Sequence, residues 1–250
     1  MNLYSAVKLP VLALRQINFC IWHSGRCGSS VLTSMLTQHP NIFCAGELLE
    51  TYSNQYIEVS DKSKAWSGGK LRIARNALRG GRKTSGFEMK VWHLVRLGVS
   101  VTQAMQFVNQ IGYNKHIVLE RKNYLRAMAS GHVLKKTSTS HIGSKSQAQL
   151  NQVHIDSETL FPRLETFSNF YSDVKALLGD DCLWLYYEDD IHKDPKVACN
   201  KVTDYLNVNR QDPNIRLGIT NPYPLNEIIS NYDEISTMLK DTNYEWMLTR

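Results

Sequence analysis

The sequence predicts an α/β fold built around a mostly parallel sheet of about four to five strands. Two observations carry this. Short apolar runs rich in β-branched and aromatic residues recur along the chain, and helical patterns alternate with them. A third observation adds function: Arg26, Lys90, Arg121 and Glu188 fall at or near the ends of those runs, where parallel sheets bind their ligands.

The first run, Ile17 to Trp22, is long enough for one buried strand. It turns through His23-Ser24-Gly25-Arg26-Cys27-Gly28-Ser29-Ser30 into a helix with Val31, Leu32, Met35 and Leu36 on one face, ending before Pro40. Leu48 to Gly69 is polar and carries no clear pattern. Lys70 to Arg79 reads as a short helix stopped by Gly80-Gly81, with Arg72, Arg75 and Arg79 near one face. Phe87 to Leu94 alternates as a strand, with Glu88, Lys90 and Trp92 on one side. Val101 to Ile111 is helical, and His116 to Leu119 is a short strand core. It leads through Glu120-Arg121-Lys122-Asn123 to a helix from Tyr124 to about Lys136. Ser140 to Asn151, rich in Ser and Gln, reads as a loop. Ser157 to Leu178 is a long amphipathic helix with Gly179 as its stop. Cys182 to Tyr187 is another strand, followed after Pro195 by a helix to about Leu206. A loop-like tail then ends in one helix near Leu225 to Leu239.

A chain of 250 residues is one large domain or two small ones and can bury a sizeable core; it is read as a single domain over residues 1–250. The net charge of +6 favours an anionic ligand without choosing among nucleotide, nucleic acid and membrane surface. No run reaches a membrane span, and Leu9 to Leu14, cut off by Arg15, is short for a signal-peptide core. The five cysteines, Cys20, Cys27, Cys44, Cys182 and Cys199, form no C-x-x-C pair. That argues against a disulfide framework or zinc site and for a reducing, cytoplasmic setting.

Strand, glycine-bearing turn and helix make an anion cradle, because free backbone N–H groups and the positive helix end point the same way. This is not the nucleotide-hydrolysing P-loop, which needs Gly-Lys before its hydroxyl; Ser29 stands where that lysine belongs, and the cation is Arg26. A second anion site follows a later strand: Arg121 or Lys122, with Ser130 a little over two helical turns on. A ligand bearing two phosphate groups would explain both.

These residues resemble the sulfotransferases that use 3′-phosphoadenosine 5′-phosphosulfate. Their 5′-phosphosulfate loop typically reads Arg-Ser-Gly-Ser/Thr-Ser/Thr; here it is Arg26-Cys27-Gly28-Ser29-Ser30. Their 3′-phosphate motif is a strand-end Arg with a Ser on the next helix; here Arg121-Lys122-Asn123 and Ser130. Tyr187-Glu188-Asp189, Asp194-Pro195, Asn231-Tyr232-Asp233-Glu234 and Tyr244-Glu245-Trp246-Met247-Leu248 look like later motifs of bacterial carbohydrate and Nod-factor-type members. His39-Pro40, Cys44 and Gly46-Glu47 are similar to tyrosylprotein sulfotransferases, where the glutamate is the catalytic base.

The resemblance implies a P-loop-NTPase-like three-layer sandwich, 3′-phosphoadenosine 5′-phosphosulfate as donor with no metal required, and an acceptor hydroxyl on a carbohydrate or natural-product alcohol. Glu47 would be the base and Arg26 would stabilise the leaving 5′-phosphate, with Cys27, Gly28, Ser29 and Ser30 holding the phosphosulfate. Arg121 or Lys122, Ser130 and Arg216 (in Arg216-Leu217-Gly218) would hold the 3′-phosphate.

Departures sharpen the expectations. Many relatives carry Gly-Phe-Lys on the middle strand; this chain has Gly86-Phe87-Glu88, so Lys90 stands in as second cation. Cytosolic members use a histidine base near a strand lysine, which makes Lys90 and His93 a rival pair, but strand alternation turns His93 to the opposite face. Cys27 at a helix N-terminus predicts a lowered thiol pKa and sensitivity to oxidation. Glu188, Asp189 and Asp190 read as structural caps. Two rival classes remain: a nucleotide kinase, which the missing Gly-Lys disfavours, and a nucleic-acid binder using the basic stretch Gly68 to Gly86, where no aromatic residues interleave as a stacking platform.

Overall fold

The computed structural model describes residues 17–53, 60–137, 149–218 and 222–249. Leu9 to Leu14 and most of the Ser140 to Asn151 stretch lie outside them. Five strands form one sheet: β1 (Asn18–His23), β2 (Ile42–Glu47), β3 (Thr84–Lys90), β4 (Lys115–Glu120) and β5 (Leu183–Tyr186). Their order is β2-β3-β1-β4-β5, and every neighbouring pair is parallel.

Each strand of such a sheet must be apolar on both faces, because helices cover both. Alternate residues accordingly feed two cores. Cys20, Trp22, Phe87, Met89 and Val118 point one way, toward α2 (Lys62–Arg79), α3 (Val91–Leu97), α4 (Val101–Gln110), α5 (Tyr124–Thr137) and α6 (Ser157–Leu178). Phe19, Ile21, Ile117, Leu119 and Leu185 point the other way, toward α1 (Ser29–Leu36) and α7 (Pro195–Tyr205). The result is a three-layer α/β sandwich, as the sequence predicts. Among the described residues no helix is long and apolar enough to cross a membrane.

Four elements differ from the sequence reading. Ile42–Glu47, which carries no strand prediction, is the edge strand β2. Helix α2 starts at Lys62, capped by the Asp61 side chain, and runs straight through Gly68 and Gly69. Those glycines look like breakers but are packing sites: a Cβ at either would lie 2.6 Å from Tyr52 or Leu49 respectively. The expected strand to Leu94 stops at Lys90, and α3 begins at once. Its buried residues, Val91, His93, Leu94 and Leu97, follow helical spacing, and burial outweighs the β-leaning composition. The single C-terminal helix is two, α8 (Leu225–Ile228) and α9 (Tyr232–Leu239), parted where Ile229 bridges to Val153.

Candidate active site

The β1–α1 turn has three left-handed residues in four: Gly25 (φ 89°), Arg26 (φ 55°) and Gly28 (φ 84°). Such a run of left-handed residues bends the backbone sharply just ahead of α1. Glycine is required twice over, since a Cβ at Gly28 would sit 2.9 Å from Ile191, and one at Gly25 the same distance from Lys90 Cε. Gly28 caps α1 without any side-chain hydrogen bond to the first turn, so those backbone donors remain for an anion. Arg26 pays the ordinary steric cost of about 1 kcal/mol for a non-glycine in this region. The turn is clamped from below: Ser24 N–H donates to Tyr171 Oη (3.1 Å), whose hydroxyl donates to the Leu119 carbonyl (2.9 Å). Tyr171, on α6, is invisible as a site residue in the sequence.

The second anion motif folds onto the first. Arg26 Nε donates to Ser130 Oγ on α5 (3.0 Å), and Arg121 Nη1 donates to the Arg26 carbonyl (3.0 Å). Arg121 lies over the Tyr187 ring at 4.5 Å and is buried, with its Nε lacking a hydrogen-bond partner. Lys122 points away. Its ammonium pairs with Asp189 (2.6 Å), while its backbone N–H, with that of Asn123, donates to the Glu188 carboxylate. The geometry thus separates the two adjacent cations that the sequence leaves as alternatives. Asn123 Oδ1 caps α5 by accepting from Arg126 N–H, Glu188 braces the turn ahead of it, and Asp190 accepts from Tyr186 N–H and pairs with Lys201.

Burial, and then the charge of Arg121, lower the Arg26 guanidinium from its ordinary value; burial also lowers Arg121. A half-buried and a buried cation side by side are costly unless an anion joins them.

The third group is the triad Glu47, Lys90 and His93. Lys90 Nζ donates to both Glu47 oxygens (3.2 and 3.1 Å), and His93 Nε2 lies 3.2 Å from Oε2. Two irregularities assemble it. Ala45 pairs with Phe87 but Glu47 pairs with Glu88, so β2 carries one extra residue, a bulge that turns Glu47 onto the face of Glu88 and Lys90. Helix α3 then starts directly after Lys90 and curls His93 back toward that carboxylate, which corrects the expectation that His93 faces away.

Burial alone would raise the Glu47 carboxyl, but the hydrogen bond from His93 and the charge of Lys90 outweigh it and hold the group well below the carboxylate range. His93 is lowered, chiefly by burial, and so is neutral. Glu47 keeps 22% of its side-chain surface exposed against 3% for His93. The accessible member of the pair is an ionised carboxylate.

Beneath the triad lies a network that the sequence reading leaves without a role. Gly25 N–H donates to His23 Nδ1 (3.0 Å), His23 Nε2 is 3.0 Å from Glu88 Oε2, and Thr33 Oγ1 donates to Glu88 Oε1 (2.7 Å). The only available signal is an acid inside an otherwise apolar strand. Among the described residues, His23, Glu47 and Glu88 offer ligand atoms within 4.8 Å of one another. Their protons fit a metal poorly: Nδ1 accepts from a backbone N–H, which leaves the proton on Nε2, and Lys90 already neutralises Glu47. The set is a charge network linking the cradle to β3.

Two expected site residues, Cys27 and Arg216, and one motif residue, His39, fall elsewhere. Cys27 is fully buried among Ile21, Leu32 and Ile191, so only its backbone can reach a ligand. A thiol so enclosed, with His23 as its polar neighbour, is shielded from oxidants in solution, which runs against the predicted oxidation sensitivity. Arg216 is exposed in the irregular stretch after α7 and forms no hydrogen bond or ion pair among the described residues. His39 holds a turn, accepting from Asn41 N–H, with Nε2 2.7 Å from the Asn209 carbonyl. Trp66, the aromatic residue of the basic helix α2, packs edge-on against Phe107, so that helix offers no open stacking platform.

No family model matches this sequence, and no curated protein matches it. Among solved structures the chain is similar to a sulfotransferase from Alicyclobacillus acidocaldarius, with 15% identity, a TM-score of 0.53, and 89% of this chain and 91% of that chain covered. Weaker likenesses, at TM-scores too low to bear on the argument, are to NadR protein in complex with NR (14% identity, TM-score 0.44, 80% and 53% covered) and to deoxyadenosine kinase from M. mycoides with bound dCTP (16%, 0.41, 75% and 100%). The fold is therefore sulfotransferase-like.

Proposed function

We propose that the chain, acting as one domain, transfers a sulfuryl group from 3′-phosphoadenosine 5′-phosphosulfate to a hydroxyl of a carbohydrate or other small-molecule acceptor. The observation that carries this is the junction of the two anion motifs, Arg26 on Ser130 and Arg121 on the Arg26 carbonyl. Residues 95 apart in sequence form one continuous cationic surface, which suits a ligand with two anionic groups. The orphaned Arg121 Nε and the uncapped first turn of α1 are the donors such a ligand would satisfy.

The donor supplies an activated sulfuryl group on a phosphate leaving group. Backbone N–H groups of residues 27–30 and the Ser30 hydroxyl bind its 5′ end; Arg121 and Ser130 bind the 3′-phosphate. Arg26 stabilises charge developing on the leaving oxygen, with Lys90 as the second cation. Glu47 takes the acceptor proton. Its lowered pKa makes it a weak base while Lys90 stays paired to it, so a Lys90 that swings toward the leaving group would also release the carboxylate and raise its basicity. His93 stays behind Glu47 and fixes its rotamer. The five cysteines, all free, fit a cytoplasmic setting.

Titration with adenosine 3′,5′-bisphosphate against ATP tests the reading. Saturable binding of the former alone supports it; binding of ATP alone overturns it.

A further inference from the structure

A cluster of cations outside the donor site belongs to neither anion motif. Arg163 on α6 places its guanidinium 5.8 Å from the centre of the Trp92 ring, and its Nη1 lies 2.8 Å from His132 Nε2 on α5. Arg96, one helical turn after Trp92 on α3, donates to the Ser53 carbonyl (2.8 Å), and Lys135 follows His132 on α5. Three helices thus contribute three cations and an imidazole, and among the described residues none of the four is ion-paired. The nearby carboxylate, Asp156, is engaged with Glu158 N–H and Thr159 Oγ1. Lys135 is lowered by burial, then by Arg163 and Arg96; His132 by burial, then by Arg163 and Lys135. Asp156 acts on Arg163 and His132, and His154 adds to the cationic side, so one carboxylate faces three cations and two imidazoles.

Position gives the cluster its meaning. Trp92 and Arg96 share α3 with His93, so the cluster begins within a helical turn of the triad. His132 and Lys135 lie on α5 roughly 140–200° around the axis from Ser130, on a different face from the donor contact. Cations next to the base but off the donor surface face what the base deprotonates.

We propose that the acceptor carries an oxyanion of its own, a carboxylate or sulfate ester, held by Arg96, Lys135 and Arg163 while its hydroxyl is presented to Glu47. This rests on Glu47 being the base. The neutral His132 then gains a counter-ion and takes a proton when the anion binds.

The experiment uses the full chain saturated with adenosine 3′,5′-bisphosphate, which fills the donor loops, and follows His132 and His93 by NMR at constant ionic strength. Sodium sulfate, exchanged for chloride, should shift His132 saturably and raise its pKa, whereas Arg163→Gln with Lys135→Gln abolishes the response. Methyl β-glucuronide should move His132 and His93 together, and methyl β-glucoside should bind at least tenfold more weakly. A non-saturable sulfate response, or one retained in the double variant, overturns the site. Sulfate binding with equal affinities for the two glycosides overturns the acceptor assignment. Failure to bind adenosine 3′,5′-bisphosphate at all sinks the donor reading instead, so the two failures are distinguishable.

Discussion

The β1–α1 cradle and the Glu47–Lys90–His93 triad lie side by side, yet they are built in opposite ways. The cradle is contiguous. Its shape follows from two glycines, one strained arginine and a helix start, all within six residues from Gly25 to Ser30. The triad is collected from an edge strand, the end of a central strand and a helix, and it needs a bulge in one and an abrupt strand-to-helix switch in another. Local geometry shapes the turn around Arg26, whereas tertiary geometry decides which side chains meet the Glu47 carboxylate.

That contrast can be broken experimentally, and the largest effect is expected at the triad. Glu47→Gln should lower sulfuryl transfer by about 10²–10⁴-fold, the usual contribution of a general base, while adenosine 3′,5′-bisphosphate affinity stays within about twofold. Calorimetry beside a turnover assay checks both; a substantially active variant removes Glu47 from the chemistry. Next comes the cationic junction. Arg121→Ala should weaken adenosine 3′,5′-bisphosphate by about 10- to 150-fold, equivalent to about 1.5–3 kcal/mol for lost charged hydrogen bonds.

Gly28→Ala attacks the cradle through conformation. A positive φ and a 2.9 Å approach to Ile191 together should cost about 1–3 kcal/mol, read as a fall of several degrees in Tm. An unchanged melt would mean that the turn relaxes freely. His93→Ala should reduce kcat by about tenfold, the worth of one hydrogen bond to a charge, with KM little altered. Since His93 helps to hold the Glu47 carboxyl low, its loss raises that pKa, and the acidic limb of the pH–rate profile moves to higher pH. His93→Gln, which keeps a donor, should restore part of the rate; a limb that moves to lower pH would contradict the positioning role. Lys122→Ala should do least. Its pair with Asp189 is solvent-exposed, so stability should change by less than about 1 kcal/mol and nucleotide affinity by less than about threefold. A larger loss of affinity would return the 3′-phosphate to Lys122.

The legible parts share a cause. Helices α4, α6 and α7 and strands β1, β4 and β5 announce themselves through period and punctuation, and so does the turn carrying Arg26, because all these signals lie within a few residues. The Arg121–Lys122 ambiguity could not be resolved that way, since adjacent residues at a strand end point in opposite directions only once their partners, Arg26 and Asp189, are in place. Gly68 and Gly69 read as a break because nothing local shows that Tyr52 and Leu49 fill the space beside them. Cys27 looked reactive from its helix position and proved buried, because the core around Ile21 and Leu32 closes over it.

By itself, then, the sequence determined the α/β architecture, the glycine-bearing turn before α1 and the placing of Arg26 and Arg121 after strands, since each is written in local spacing. Only the tertiary structure decided that Arg121 rather than Lys122 joins Arg26, that Lys90 and His93 both converge on Glu47, and that Arg96, Lys135 and Arg163, from three helices, come within reach of one another's charge. Those outcomes depend on a one-residue bulge, a strand that ends early and three helices crossing, and such long-range geometry leaves no periodic trace in the chain.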